Sequence, residues 1–131
     1  MEKVNYCFVC GKNNPRSLHL KFKNIDDNTV IAEFELEKEY EGYPNIVHGG
    51  ILAAILDDAM ANTIFTNNTA IYTVELNIKY LKRCFIKERL TTKAWIGKKY
   101  HRIVETRGEI SDLNGELRTT AIGKYYVKGS L

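Results

Sequence analysis

The chain has 131 residues, 44% of them hydrophobic and 27% charged, with a net charge of +3. That size suits one domain spanning 1–131 with a real core, and the composition excludes both disorder and the strong basicity of a nucleic-acid binder. No apolar run approaches the roughly 20 residues needed to cross a bilayer, the opening MEKVNYCFVC lacks a signal peptide's apolar core, and three Cys make no full disulfide framework; a reducing cytoplasm is the expected setting.

Residues 1–17 open with Cys7-Phe-Val-Cys10-Gly, then Lys-Asn-Asn-Pro15. Cys-x-x-Cys is half of a zinc site or a redox pair. Zinc takes about four ligands, and His19 is the only further candidate nearby in sequence. No metal site is therefore expected, and the segment reads as a turn that packs its small thiols.

Residues 18–24, LHLKFKN, alternate as a half-buried strand does. Asp26-Asp27-Asn28 makes a turn. Residues 29–36 form a second strand with Val30, Ala32, Phe34 and Leu36 on one face, so the pair reads as a hairpin. Glu33, Glu35, Glu37, Glu39 and Glu41 fall at every second position and read as a solvated acidic face, partly paired with Lys on neighbouring strands. Gly42-Tyr-Pro44-Asn45 leads into a helix from about 49 to 65, ending near Asn67-Asn68.

The start of that helix, residues 47–58 (VHGGILAAILDD), organises the rest. Gly49 and Gly50 stand where the helix begins and let another group approach the backbone. The first amides of a helix lack internal partners and carry its positive dipole end, so they stabilise an oxygen that gains negative charge. Asp57, seven residues after Gly50, shares its face at about 100° per residue, with Ala53, Ala54 and Ala61. Ile51, Leu52, Ile55 and Leu56 fill the opposite arc, so the helix is buried. A carboxylate on a buried helix beside such small residues needs a purpose or a partner.

Residues 69–81 give the clearest strand, with Tyr72, Val74, Leu76, Ile78 and Tyr80 alternating against Thr73, Glu75, Asn77 and Lys79. Strands at about 88–99, 101–112 and 116–127 follow, broken near Gly97-Lys98 and at the turn Asp112-Leu-Asn114-Gly115. The order predicts an α+β domain: a curved antiparallel sheet of five to six strands wrapped around one long central helix. Its open edge or outer face invites a dimer.

This order, with CFVCGKNNP, VHGGILAAILDDAM and TVELNIKYLKR in it, resembles the hotdog fold. It is similar to small thioesterases of the phenylacetate-pathway (PaaI-like) and human thioesterase-superfamily-member type, over nearly the whole chain. The resemblance implies an acyl-CoA thioesterase whose sites lie between subunits of a homodimer, or of a dimer of dimers. Coenzyme A would enter as part of the substrate, with no separate cofactor, metal, nucleic-acid or membrane partner. It assigns the working acid to Asp57 and the polarising amide to Gly49 or Gly50, of which the shared face favours Gly50. Thr73 matches an assisting Thr, and Asn45 and Val47 flank the turn on the substrate side. The chain departs from the pattern at Lys82-Arg83-Cys84, where a Pro is common, and at Ser17, where a Gly is frequent.

The chemistry follows from those types. Helix-start amides would hold the thioester oxyanion, worth about 3 kcal/mol per good donor. Asp57 would act as general base on water or attack directly to give an anhydride. Thr73 would orient the water or the carboxylate, and His48 would hydrogen-bond the carbonyl or shape the turn. Asp58, some 100° around the helix, is the alternative acid. Nine of the 19 basic residues fall between Lys79 and Arg102; Lys82 and Arg83, at a strand end, are the candidates for the nucleotide phosphates. The competing readings are a non-catalytic acyl-CoA-binding hotdog protein, a hotdog hydratase, for which no Asp and His some five residues apart stand on the loop before His48, and a nucleic-acid binder, for which no aromatic platform is evident.

Overall fold

The computed structural model describes residues 5–65 and 69–129. Its elements are β1 (Lys23–Asp26), β2 (Thr29–Phe34), a 3-10 turn (Lys38–Tyr40), α1 (Gly49–Asn62), β3 (Thr69–Tyr80), β4 (Leu90–Tyr100), β5 (Ile103–Asp112) and β6 (Leu117–Gly129). The six strands form one antiparallel sheet in the order β1-β2-β4-β5-β6-β3. It curves around α1, as the hotdog arrangement requires, and α1 touches five of the strands.

The inner face of the sheet follows the alternation of its residues. Val30, Ala32 and Phe34 of β2, Leu90 and Ala94 of β4, Val104 and Ile110 of β5, and Ala121, Tyr125 and Val127 of β6 are buried. Against them α1 buries Leu52, Ile55, Leu56, Ala59 and Met60, each large side chain worth roughly 1.5–3 kcal/mol of transfer free energy. The sheet makes room for that ridge with small residues. A Cβ on Gly108 would lie 3.1 Å from Leu56 Cδ2 and 3.2 Å from Met60 Cγ. Ala53, Ala54, Asp57 and Ala61 lie on the less buried side of the helix, so the small-residue face does open.

Two sequence expectations shift. The expected strand at 18–24 begins only at Lys23, because Leu18 and Leu20 donate their N–H groups to Phe8 and Val9 of the N-terminal turn. Their alternation records packing against residues 7–10 rather than membership of the sheet. The helix closes at Asn62, where the Thr63 hydroxyl donates to the Met60 carbonyl at 2.6 Å; the expected stop at Asn67-Asn68 lies outside the described residues. The turn after β1 is as expected, with the Asp26 carboxylate accepting from Asn28 N–H. Glu33 and Glu35 are exposed, and Glu33 meets Arg89 at 3.6 Å; the every-second-residue pattern is broken beyond them by the 3-10 turn.

β3 stands at one edge of the sheet. From Thr73 to Leu76 its side chains are exposed on both faces, and its outer backbone edge has no strand beside it among the described residues. This twelve-residue edge strand exposes Tyr72, Val74, Leu76 and Tyr80, with backbone groups on its outer edge open to pairing.

Candidate active site

α1 begins at a built cap. His48 is the N-cap, with φ −59° and ψ 130°, and its Nδ1 accepts the Gly50 N–H at 2.9 Å. The expectation that favoured the Gly50 amide is therefore revised: the His48 imidazole already takes that donor. Ile51 and Leu52 N–H bond the His48 carbonyl. The Gly49 N–H is left without a hydrogen bond among the described residues. Tyr80 lies over Gly49, its ring 3.4 Å from where a Cβ would stand, and donates its hydroxyl to the Gly49 carbonyl at 2.7 Å. That distance is an ordinary contact, and the hydroxyl pins the peptide that follows the free amide.

Gly49 lines a cleft of about 660 Å³ together with Val47, Tyr80, Lys82, Arg83 and Arg118. Val47 is buried and ties to the Cys84 carbonyl through its N–H. Lys82 pairs with Glu116 at 2.8 Å, both exposed, so part of its charge is spent. Arg83 is exposed and has no carboxylate partner among the described residues. Asn45 is not on this cleft; it turns the chain with φ 68°, and its N–H donates to Glu41 Oε1 at 3.3 Å.

Arg118 builds the cleft's rim and was not singled out from sequence. Only 5% exposed, it reaches Glu88 Oε2 at 2.6 Å, Asp112 Oδ2 at 2.9 Å and Glu116 Oε1 at 2.9 Å. It also donates to the Arg83 carbonyl at 2.8 Å. Its own carbonyl accepts the N–H groups of Leu81 and Lys82, so one residue fixes the segment that carries both candidate phosphate ligands. The guanidinium holds the Glu88 carboxyl below the usual range.

Two turns along α1 stands a second group. Asp57 Oδ1 accepts from the Thr73 hydroxyl at 2.8 Å and from the Tyr125 hydroxyl at 2.8 Å. Thr73 and Tyr125 are direct cross-strand partners on β3 and β6, next to a bulge between Thr73 and Glu75; bulges of this kind re-aim side chains. Thr73 thus orients the carboxylate. With Oδ1 held twice, Oδ2 makes no hydrogen bond among the described residues. Tyr125 is fully buried, and burial, with the Asp57 charge beside it, raises its phenol's pKa, keeping it a donor. Tyr125 was missed in sequence. The only local signal is Gly123, where a Cβ would meet the Tyr125 ring at 2.7 Å.

The structure does not bring the two groups together within one chain. Gly49 and Asp57 are eight residues apart on one helix, roughly 12 Å along its axis at about 1.5 Å per residue. Asp58 faces elsewhere: Cys7 Sγ donates to its Oδ1 at 3.4 Å.

Residues 44–119 match the family model of the thioesterase superfamily. A Saccharolobus solfataricus protein named as an esterase is 26% identical over 112 residues, 84% of this chain and 79% of that one. The acyl-coenzyme A thioesterase THEM5 of Mus musculus is 40% identical over 59 residues, 45% of this chain but 24% of the mouse protein. A hypothetical thioesterase protein of Streptococcus pneumoniae, solved with coenzyme A, superposes with a TM-score of 0.78 at 19% identity, over 85% of this chain and 87% of that one. The family model spans more than half of a chain that carries this fold, and the chain belongs to the thioesterase superfamily, as a hotdog-fold thioester hydrolase.

Proposed function

We propose that the chain hydrolyses an acyl-CoA thioester at sites shared between two copies of itself. The carrying observation is the pair of separated half-sites: a free Gly49 amide on a cleft with Arg83, and an Asp57 carboxylate tethered on one oxygen only. A nucleophile must come within about 3–3.5 Å of the carbonyl carbon, so roughly 12 Å of helix between the halves favours a site to which two chains contribute. An isologous dimer through the β3 edge supplies each site with Gly49 from one protomer and Asp57 of the partner subunit. The S. pneumoniae and mouse relatives support coenzyme A as the carrier.

In this reading the thioester oxygen accepts the Gly49 N–H, helped by the positive end of α1. Asp57 Oδ2 takes a proton from water as the water's oxygen attacks, or itself attacks the carbon to give a mixed anhydride that water then hydrolyses, restoring the carboxylate. The tetrahedral intermediate collapses, the C–S bond breaks, and the thiolate leaves to take a proton from solvent. Thr73 and Tyr125 keep the carboxylate aimed throughout. Arg83, with Lys82 beside it, meets the nucleotide phosphates at the cleft mouth. His48 shapes the turn by capping Gly50. Among the described residues no helix is long and apolar enough to cross a membrane.

The test is a panel of short, medium, long and aryl acyl-CoAs, followed by release of free thiol. Hydrolysis that Asp57→Asn reduces at least about 100-fold with an unchanged circular dichroism spectrum supports the reading. Binding of acyl-CoA with no turnover would instead make the chain an acyl-CoA-binding protein.

A further inference from the structure

The Cys7-x-x-Cys10 turn is not used by the proposed reaction, yet the fold brings a carboxylate to it. One ligand atom from each of Cys7, Cys10 and Asp58 lies within 4.8 Å of the others, although Asp58 is 51 residues from Cys7 in sequence. His19 is not part of the cluster.

The turn has the geometry of a metal knuckle. Cys7 Sγ accepts the Val9 N–H at 3.3 Å, and the Gly11 N–H closes the loop onto the Cys7 carbonyl at 2.8 Å. Backbone donors to sulfur favour thiolate over thiol. A Cβ on Gly11 would stand 2.3 Å from Cys7 N, so the tight return requires glycine. Asp58 Oδ2 is shut off from solvent with no hydrogen-bond partner among the described residues, an arrangement that costs free energy unless something binds there. No Lys, Arg or His pairs with Asp58 among the described residues. Three acidic groups thus converge without a cation.

We propose that Cys7, Cys10 and Asp58 bind one zinc ion, which fastens the N-terminal turn to α1 beside Asp57. Two sulfurs and one oxygen suit zinc and disfavour magnesium or calcium. With Zn–S near 2.3 Å and Zn–O near 2.0 Å, a tetrahedral ion sets sulfur and oxygen about 3.5 Å apart; Cys7 Sγ and Asp58 Oδ1 stand 3.4 Å apart. Cys7 and Cys10 are half-buried, which leaves a path for the ion and a water as fourth ligand. On binding, the protons on the thiols and the carboxyl pass to solvent, and no oxidation state changes. Sequence spacing cannot show this site, because its third ligand arrives only through folding. The site is independent of the thioesterase reading and holds or fails whether or not the chain hydrolyses acyl-CoA.

The experiment is titration of the reduced, chelator-treated full chain with cobalt alone, then with zinc. One cobalt per chain, showing thiolate-to-cobalt charge-transfer absorption and visible bands of tetrahedral strength, is expected. One equivalent of zinc should abolish both signals. Cys10→Ser and Asp58→Asn should weaken cobalt binding at least about tenfold, and Cys84→Ser should not. Zinc should raise the melting temperature of the wild type and leave that of Cys10→Ser unmoved. A wild-type chain with no charge-transfer band overturns the proposal, even if the variants fail to fold. So does a band of full strength in a folded Cys10→Ser chain.

Discussion

The proposed division of the site between subunits makes a quantitative prediction about mixing two inactive variants. Gly49→Pro removes the free N–H. The helix should tolerate it, because Gly49 is the first helical residue, where proline is favoured. His48, at φ −59° and ψ 130°, already has the backbone conformation that a following proline demands. The ring of Tyr80, 3.4 Å from a Cβ at that position, is in ordinary contact distance. Loss of one oxyanion donor should lower kcat about 10²–10³-fold. Asp57→Asn should be comparably inactive. In a hybrid dimer, one site carries both changes and the other carries neither. Random exchange of equal amounts makes about half the dimers hybrid, so activity should return to about one quarter of wild type. The assay is thiol release after mixing, with exchange confirmed by mass-tagged subunits. A mixture that exchanges fully yet stays at the level of its parents would refute the shared site, because each chain would then use its own Gly49 and Asp57.

Further expectations follow from the groups that surround this pair. Tyr125→Phe removes a charge-assisted hydrogen bond worth about 1.5–3 kcal/mol; kcat should fall roughly 10- to 100-fold with KM little changed, and an unaltered kcat in a folded variant would remove Tyr125 from carboxylate positioning. Thr73→Ala should act on the same oxygen, so the double variant should lose less than the product of the two single losses in a double-mutant cycle. Single-turnover hydrolysis in ¹⁸O-labelled water tests direct attack by Asp57: label entering the protein carboxyl marks an anhydride opened at the aspartyl carbonyl. Arg118→Met leaves Glu88 and Asp112 without their buried partner and should lower the melting temperature by roughly 10 °C. Glu88 is depressed chiefly by Arg118, and Asp112 by the Glu116 N–H and then by Arg118. A carboxyl depressed in the folded state stabilises above its unfolded pKa and loses that contribution as pH falls through its folded value. The melting-temperature gap between wild type and Arg118→Met should therefore be full at neutral pH and narrow below about pH 4; a gap constant with pH would show that Arg118 acts through packing alone.

What could be read from the chain was local or periodic. The helix, the hairpin and the four later strands all follow from apolar spacing; Asp57 stands out because it lies on a small-residue helix face, whereas Thr73 is marked only by the family resemblance, since nothing in its alternation distinguishes it. What could not be read depended on distance in the fold. Tyr125 and Arg118 act through partners on other elements, and a Tyr or Arg in an alternating strand carries no mark of that. The preference for Gly50 over Gly49 failed at short range for another reason. Helical phase counts faces and is blind to a side chain that turns back on its own backbone, as His48 does. The misplaced start of β1 has a similar origin, since period-two alternation cannot distinguish pairing with a sheet from pairing with residues 8–9.

Gly123 bears no functional group, yet the Tyr125 ring lies against its bare backbone. A single methyl there would tilt the phenol, and the tilt would reach the carboxylate through one hydroxyl. Sequence drift in this enzyme is thus constrained at a residue that no inspection of reactive side chains would mark, and an engineer who rigidified β6 by replacing its glycine would forfeit turnover while gaining nothing in the core.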